Sequence, residues 1–566
     1  MLVRCKIAKS NKIFQKGISY CFFIYRKFLK TSEMVYNNNT ACCHSSRNQQ
    51  IWKWNMVQNN NDKTEFLFKR YSKIVSYLGA AFICCPILLI LIKDKPENYE
   101  HLVGNFGLIL LGGILFGIFI LLHRFLESKE LPEKGTKRNL LFFYLFVLFL
   151  QLYVVTNTYF MTGWDVGLVR FRVESIINGS SLYEVGADAG YSIYPNNLLI
   201  FYVTYLIMKI ATLLSFSQPY LLCIYISCFC VTFSCFLGGL LILRILNSRI
   251  MLFIYCFFSF VLLICSPWVS IPYTDTFGML FVMLAFYCYF SFSNFYLRTG
   301  GLILTALIGY MIKPTCIFTL FAVAIASFPK ICNPLLLKEK MKKGIALLTF
   351  LAIGYFMTIA IPIWIQHVFS FQLNPELRMS YAHYLLIGSN MDSCGGWNDE
   401  DYWYGISING YEQRKQEELT KTKERYQSYS SADLLAHLQN KMLFVMNDGS
   451  FAWTKEGEFF AERVEHDHFL YPISKEIFTP EGKYFLLYKI VTQFFWICVL
   501  LGIPFSAFSR KVSPHIIATF FIAICGLVTF LLIFEARARY LFLYMPVFIL
   551  LSMIGYHSLF EKLKMQ

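Results

Sequence analysis

Residues 220–243 read YLLCIYISCFCVTFSCFLGGLLIL without a single charge, and the next six residues run from Arg244 to Arg249. A helix of this length rises roughly 36 Å at 1.5 Å per residue, enough to cross a hydrocarbon layer of about 30 Å. Arginines at its end mark a cytoplasmic loop, because lysine and arginine are retained on that side during insertion. One stretch therefore gives both the solvent, which is lipid, and the direction of the chain through it.

The same pattern recurs in both directions. Apolar blocks lie at 74–92, 104–122, 139–158, 251–268, 277–293, 301–328, 345–365, 486–505, 513–534 and 540–556. They predict an all-α polytopic membrane protein of about 11–12 spans. Composition agrees: 56% of residues are hydrophobic and 15% charged, against roughly 25% charged in a soluble domain. That is too little charge to coat a globule in water.

The net charge of +16 raises nucleic acid as a partner. No basic-aromatic recognition module accompanies it, so nucleic acid is excluded. The excess lies in the N-terminal tail and in short loops, as topology requires. The 18 cysteines form no disulfide framework, since Cys84, Cys85, Cys223, Cys228, Cys230 and Cys235 sit inside apolar spans as small hydrophobes. Cys394 is the one clear cysteine of the long outer loop, so no disulfide is read from the sequence there, and Cys42-Cys43-His44 lacks paired zinc-ligand spacing. The first 50 residues carry no cleavable signal pattern, and Met56 offers an alternative start. Walker and Rossmann fingerprints are missing.

The basic segments Lys129 to Arg138, Arg244 to Arg249, Arg298, Lys338 to Lys343, Arg510-Lys511 and Lys562 to Lys564 are expected on the cytoplasmic side. The loops around Asp165, Asp275 and Lys313, the long 366–485 segment and Glu535 to Arg539 then face outward. Residues 197–214 are apolar, yet a full crossing there would carry Arg244 to the wrong face. This helix is expected to lie in the outer interface or to dip and return. Lys313-Pro314-Thr315 interrupts 301–328, and a break in lipid must be buried in protein or line a cavity. Five regions follow: a disordered basic tail (1–73), two additional N-terminal spans (74–138), a transmembrane core (139–365), a small, mainly helical extracytoplasmic domain (366–485) and the C-terminal spans (486–566).

Candidate chemistry gathers on the outer loops. Asp165, in Thr162-Gly163-Trp164-Asp165-Val166-Gly167, stands just past a span where a carboxylate can act as general base on a lipid-borne substrate; the alternative is a helix cap. Tyr194, Asn196 and Asn197 can bond sugar hydroxyls or phosphate, or cap the next helix. Asp275, in Pro272-Tyr273-Thr274-Asp275, has the same two readings. Lys313, Arg537 and Arg539 are cations on a side that disfavours them, so phosphate stabilisation is favoured over snorkelling anchors.

These motifs occur in one order: the early aspartate, Tyr-Pro-Asn-Asn, Pro-Tyr-Thr-Asp, Lys-Pro-Thr and a late Glu-Ala-Arg-Ala-Arg-Tyr-Leu. In this order they resemble the GT-C superfamily of polytopic glycosyltransferases over roughly 139–556. The closest likeness is to the polyprenyl-phosphate-mannose mannosyltransferase-like membrane proteins of Gram-positive bacteria. The resemblance implies a GT-C-like bundle with interfacial helices in the first outer loop. It also implies inverting transfer from a polyprenyl-phosphate sugar at the outer face of the plasma membrane. Asp165 would be the base and Asp275 would orient the acceptor or, in some members, a divalent cation such as magnesium or manganese. Lys313 with Arg537 or Arg539 would hold the carrier phosphate, and Tyr194, Asn196 and Asn197 the sugar. The first loop has Trp164 and Val166 around Asp165 instead of an adjacent Asp-Glu pair, and two extra spans precede the core. A glycan or lipid acceptor therefore stands beside protein. A polysaccharide polymerase or ligase shares the carrier and the outer site. A transporter or flippase of lipid-linked substrates shares the many spans, although its site would be expected near the midplane.

Overall fold

The computed structural model describes residues 46–93, 105–127, 135–331, 337–456 and 464–565, which form helices and no strand. The Cys42-Cys43-His44 cluster and the first 45 residues lie outside that set. The chain divides into two units between Glu65 and Phe66, and the side-chain contacts that define the bundle lie within the second. Nine helices among the described residues are long and apolar enough to cross a membrane, and three shorter apolar helices accompany them. The chain is an all-α, multi-pass integral membrane protein.

The first span belongs to a helix that runs from Ser46 to Ile92. Part of the stretch read as tail is therefore helical. Its Gln, Lys and Glu content, with no glycine or proline before Gly79, lets the helix extend beyond the apolar block.

Side-chain bonds fix how the central helices run. Thr156 bonds Tyr225 at 2.7 Å and Thr232 donates to Gln151 at 2.9 Å, while Leu140 packs on Gly239. Thr136–Thr156 and Pro219–Leu246 are thus antiparallel neighbours, and the Pro219 end lies beside Thr156. Tyr144 meets Ser259 at 3.1 Å and Gln151 donates to the Ile264 carbonyl at 2.8 Å. Arg249–Ser259 and its π-helical extension Phe260–Ile264 therefore run parallel to Thr136–Thr156. Any side chain at Gly238 would collide with Tyr255. That close approach suits a small residue at a helix contact within lipid.

This register decides the apolar helix Leu198–Leu213. By length and composition it counts among the candidate spans. However, both ends of the segment between Thr156 and Pro219 lie at the same end of the bundle. A crossing by 198–213 would leave residues 214–218 to return through about 30 Å, and five residues reach at most about 18 Å. The helix therefore lies along that end or dips into it, and Arg244 lies at the opposite end of the bundle.

The interrupted 301–328 stretch, read as one span, is two helices. Phe295–Ile312 packs on Thr274–Ser291, and Lys313 and the 3-10 turn Pro314–Ile317 end it. Phe318–Ile331 then packs on Pro514–Ile533. Proline at 314 cannot supply the next helical donor, so the chain turns at Lys313 and goes back. Tyr289 bonds both Ser327 and His515 at the far end, and Arg298 and Lys343 share the Phe295 ring there, as their charge suggests.

Only 6% of the apolar window of Met341–Val368 is buried, against 67% for Pro219–Leu246. The first is peripheral and the second central. Between Val368 and Phe485 the chain forms a helical cap with helices Tyr381–Gly388, Asp399–Ser407, Tyr411–Ser428, Ser431–Met446 and Leu470–Phe478. Asn398 and Ser430 cap two of these through backbone amides at Asp401 and Asp433, the ordinary role of Asn and Ser before an acidic first turn. Arg425 grips the fully buried Asp401 with two bonds of 2.8 and 2.9 Å. Burial would raise that carboxyl, but Arg425, Asn398 and Asn390 hold it below its usual value.

Candidate functional site

The candidate residues gather at the end of the bundle covered by the cap. Trp164 opens the helix Trp164–Ile177 with φ 41°, a left-handed backbone that costs a bulky residue roughly 1–2 kcal/mol. Gly167 follows because any side chain there would strike the Thr162 carbonyl. This tight start puts the Trp164 ring beneath the Arg539 guanidinium at 4.3 Å and edge-on to Tyr273 at 5.5 Å.

Asp165 is the second residue of that helix and caps nothing; the cap position is Gly163. Its carboxylate is exposed and accepts a hydrogen bond from the Tyr273 hydroxyl at 3.2 Å. The same hydroxyl lies 3.2 Å from Asn197 Oδ1. A phenol has one proton, so Asn197 fits this chain with its amide turned to donate, giving Asn197 to Tyr273 to Asp165. Tyr273 is buried, which leaves Asp165 held from behind and open in front. Asn197 is the cap residue of Leu198–Leu213 but its side chain does not cap. Asn196 is exposed, and its side-chain amide, turned likewise, pairs with that of Asn197 at 3.2 Å.

Asp275 is likewise the second residue of its helix, Thr274–Ser291, and its environment is the reverse. It is buried and forms a close ion pair with Lys313, while Arg539 Nε stands 3.4 Å from its other oxygen. Lys313 also overlies the Tyr540 ring at 4.2 Å, and Arg539 lies 5.5 Å from Trp268. Two cations share one carboxylate here, a net charge of +1 walled by aromatic faces that favour cations. Arg537 is occupied locally, its Nε 2.9 Å from the buried Glu535.

Tyr194 completes the neighbourhood. Its hydroxyl is buried without a protein partner. Burial, then the electrostatic influence of Tyr384, Tyr402, Asp165 and Glu535, pushes the phenol well above its usual value. A buried hydroxyl without a protein partner, under the electrostatic influence of Asp165, can take a bond from a ligand hydroxyl.

The cap closes on these groups at two places. Met379 and Asn374 donate backbone bonds to the Ile193 carbonyl at 3.1 Å and to Ser192 Oγ at 2.8 Å. Ala536 donates to the Gly395 carbonyl at 2.7 Å. Behind that loop the fully buried Lys441 donates to the Gly388 carbonyl at 2.6 Å, with His437 on the same oxygen at 3.2 Å. Burial lowers the Lys441 ammonium to about 7, against some support from Glu535. Asp448 supports Trp268 from the cap. Its carboxylate receives Ser450 and Ala452 amides at 2.8 and 2.7 Å, and the Ser450 carbonyl accepts the Trp268 indole at 3.1 Å.

Among the described residues no three His, Cys, Asp or Glu side chains gather as a metal site. Asp275 faces two cations, a donor set that repels a dication, so a magnesium or manganese ion does not fit there.

Sequence reading passed over Tyr273, Trp164 and Trp268, although each lies within or beside a quoted motif. Their residue types were visible, but the side of the turn each occupies was not. Lys441 and Asp448 left no signal outside the tertiary structure.

Residues 73–559 match a family described as conserved hypothetical integral membrane protein, and the chain belongs to that family. No curated protein and no solved structure matches it.

Proposed function

We propose, from the premise of an integral membrane protein of this family, that the chain transfers a sugar from a polyprenyl-phosphate carrier to an acceptor hydroxyl. The reaction would take place at the capped end of the bundle, on the extracytoplasmic face of the plasma membrane. The observation that carries this reading is the pairing of an exposed, tyrosine-held carboxylate with a buried cluster of net positive charge, bridged by Trp164.

In this scheme Asp165 accepts the proton of the acceptor hydroxyl as its oxygen attacks the anomeric carbon. The bond from that carbon to the phosphate oxygen breaks, and the carrier phosphate leaves with the electron pair. Attack opposite the phosphate inverts the anomeric centre. Lys313 and Arg539 stabilise the charge that grows on the phosphate, and they are in place before it develops, which is what makes such stabilisation effective. Asp275 keeps the two cations together and lowers their mutual repulsion. Tyr194 and Asn197 bond the sugar, with Asn196 at the rim. The amphipathic placement of the 198–213 helix along this end gives the carrier lipid an apolar wall beside the phosphate. The order of motifs shared with GT-C glycosyltransferases supports the same assignment, and the acceptor is a glycan, lipid or protein hydroxyl.

The test is a deletion strain complemented with the native chain or with Asp165→Asn, followed by mass spectrometry of envelope glycans, lipids and glycoproteins. The native chain should restore a missing hexose and Asp165→Asn should not. A deletion strain with an unchanged hexose inventory would overturn the assignment.

A further inference from the structure

At the opposite end of the bundle, Arg298 has an unusual setting. Its guanidinium lies over the rings of Tyr289 at 5.6 Å and Phe295 at 6.0 Å, and its Nε is buried without a hydrogen-bond partner. Arg244, at the same end, donates to the Phe290 carbonyl at 2.8 Å. Arg298 forms no ion pair among the described residues. Two further cations, on separate helices, lie at the same end. Lys343 overlies the same Phe295 ring at 5.9 Å, and Lys330 overlies Phe68 at 4.0 Å. The Phe68 ring is 5.1 Å from His515, and His515 bonds Tyr289 at 2.9 Å. The rim is apolar: Tyr296, Leu297 and Phe328 are all exposed.

A planar fork over two aromatic rings, with its donors unspent and the Lys343 ammonium over one of the same rings, suits a phosphate. The exposed apolar rim suits acyl chains and has no use for a free ion. We infer that Arg298, Lys330 and Lys343 form a binding site for the phosphodiester headgroup of an anionic phospholipid, at the end of the bundle opposite Asp165. This site is independent of glycosyl transfer.

General attraction of basic loops to anionic lipid would act on every lysine and arginine at this end alike. A built site would not. The full chain, reconstituted in phosphatidylcholine nanodiscs with a minority of phosphatidylglycerol, is examined by native mass spectrometry for retained phosphatidylglycerol. Arg298→Gln should weaken retention about tenfold, the worth of one charge-assisted phosphate contact. Arg510→Gln removes an exposed charge from the same end and should leave retention within about twofold. Lys343→Gln should give a smaller loss than Arg298→Gln, and it carries the test if Arg298→Gln does not fold. Equal losses at 298 and 510 would overturn the site. So would displacement of the lipid by millimolar inorganic phosphate, which would make free phosphate the ligand.

Discussion

Asp165 and Asp275 occupy the same position in two helices, one residue inside the first turn, and the fold puts them to opposite uses. Asp165 is exposed and takes one hydrogen bond from a buried tyrosine. Asp275 is buried and shared between Lys313 and Arg539. Both gain from the partial positive charge at a helix N-terminus, so the helix alone cannot distinguish them. What distinguishes them is desolvation. A carboxylate open to water can exchange a proton with a substrate at little structural cost, whereas one between two buried cations is part of what allows those cations to be buried. On the proposed reading, the difference leaves chemistry to the first and electrostatic support to the second.

Substitution should separate the two. Asp165→Asn should lower transfer by roughly 10²–10⁴ while the apparent Tm stays near that of the native protein, since exposed changes usually alter stability by less than about 0.5 kcal/mol. Asp275→Asn should destabilise the fold by roughly 3–5 kcal/mol, the cost of leaving buried cations without their counter-charge. Thermal unfolding in detergent reads both, and equal Tm values for the two variants would erase the contrast drawn here.

Tyr273→Phe sharpens the comparison on one side only. It removes the hydroxyl that links Asn197 to Asp165 but leaves Asp275 untouched. Transfer should fall about tenfold, consistent with one hydrogen bond to a charged group, with little change in Tm. A large stability loss instead would mean that the tyrosine serves the core and not the carboxylate.

A further contrast lies in the cap, at the buried Lys441. Burial lowers the Lys441 ammonium from 10.5 to about 7, so between those values the unfolded chain binds more protons than the folded one. Stability contributed by this group is therefore lowest below about pH 7 and grows as pH rises toward 10.5. The apparent Tm of the native protein should show this rise, and Lys441→Met should flatten it. An unchanged slope in the variant would assign the dependence to another group.

Much of the architecture was legible in the sequence because lipid imposes simple rules. Blocks of apolar residues must be helices, and basic loops must collect on one side. Even the odd status of 197–214 followed from the position of Arg244. The 301–328 stretch was harder, because two short helices joined at Lys313-Pro314 have the same hydropathy profile as one long broken span. The site was legible only as residue types: Asp165, Asp275, Lys313 and Arg539 stood out as charges next to spans, but nothing in the chain order pairs position 275 with 313 and 539.

By itself the sequence determined the solvent, the helical class and the grouping of basic loops, since these depend on length, hydropathy and charge, all local quantities. Only the tertiary structure decided which aspartate is open and which is closed, that Tyr273 bridges Asp165 and Asn197, and that Lys441 braces the cap. Those outcomes depend on distances between residues far apart in the chain. Packing sets such distances, and one-dimensional order does not encode them directly.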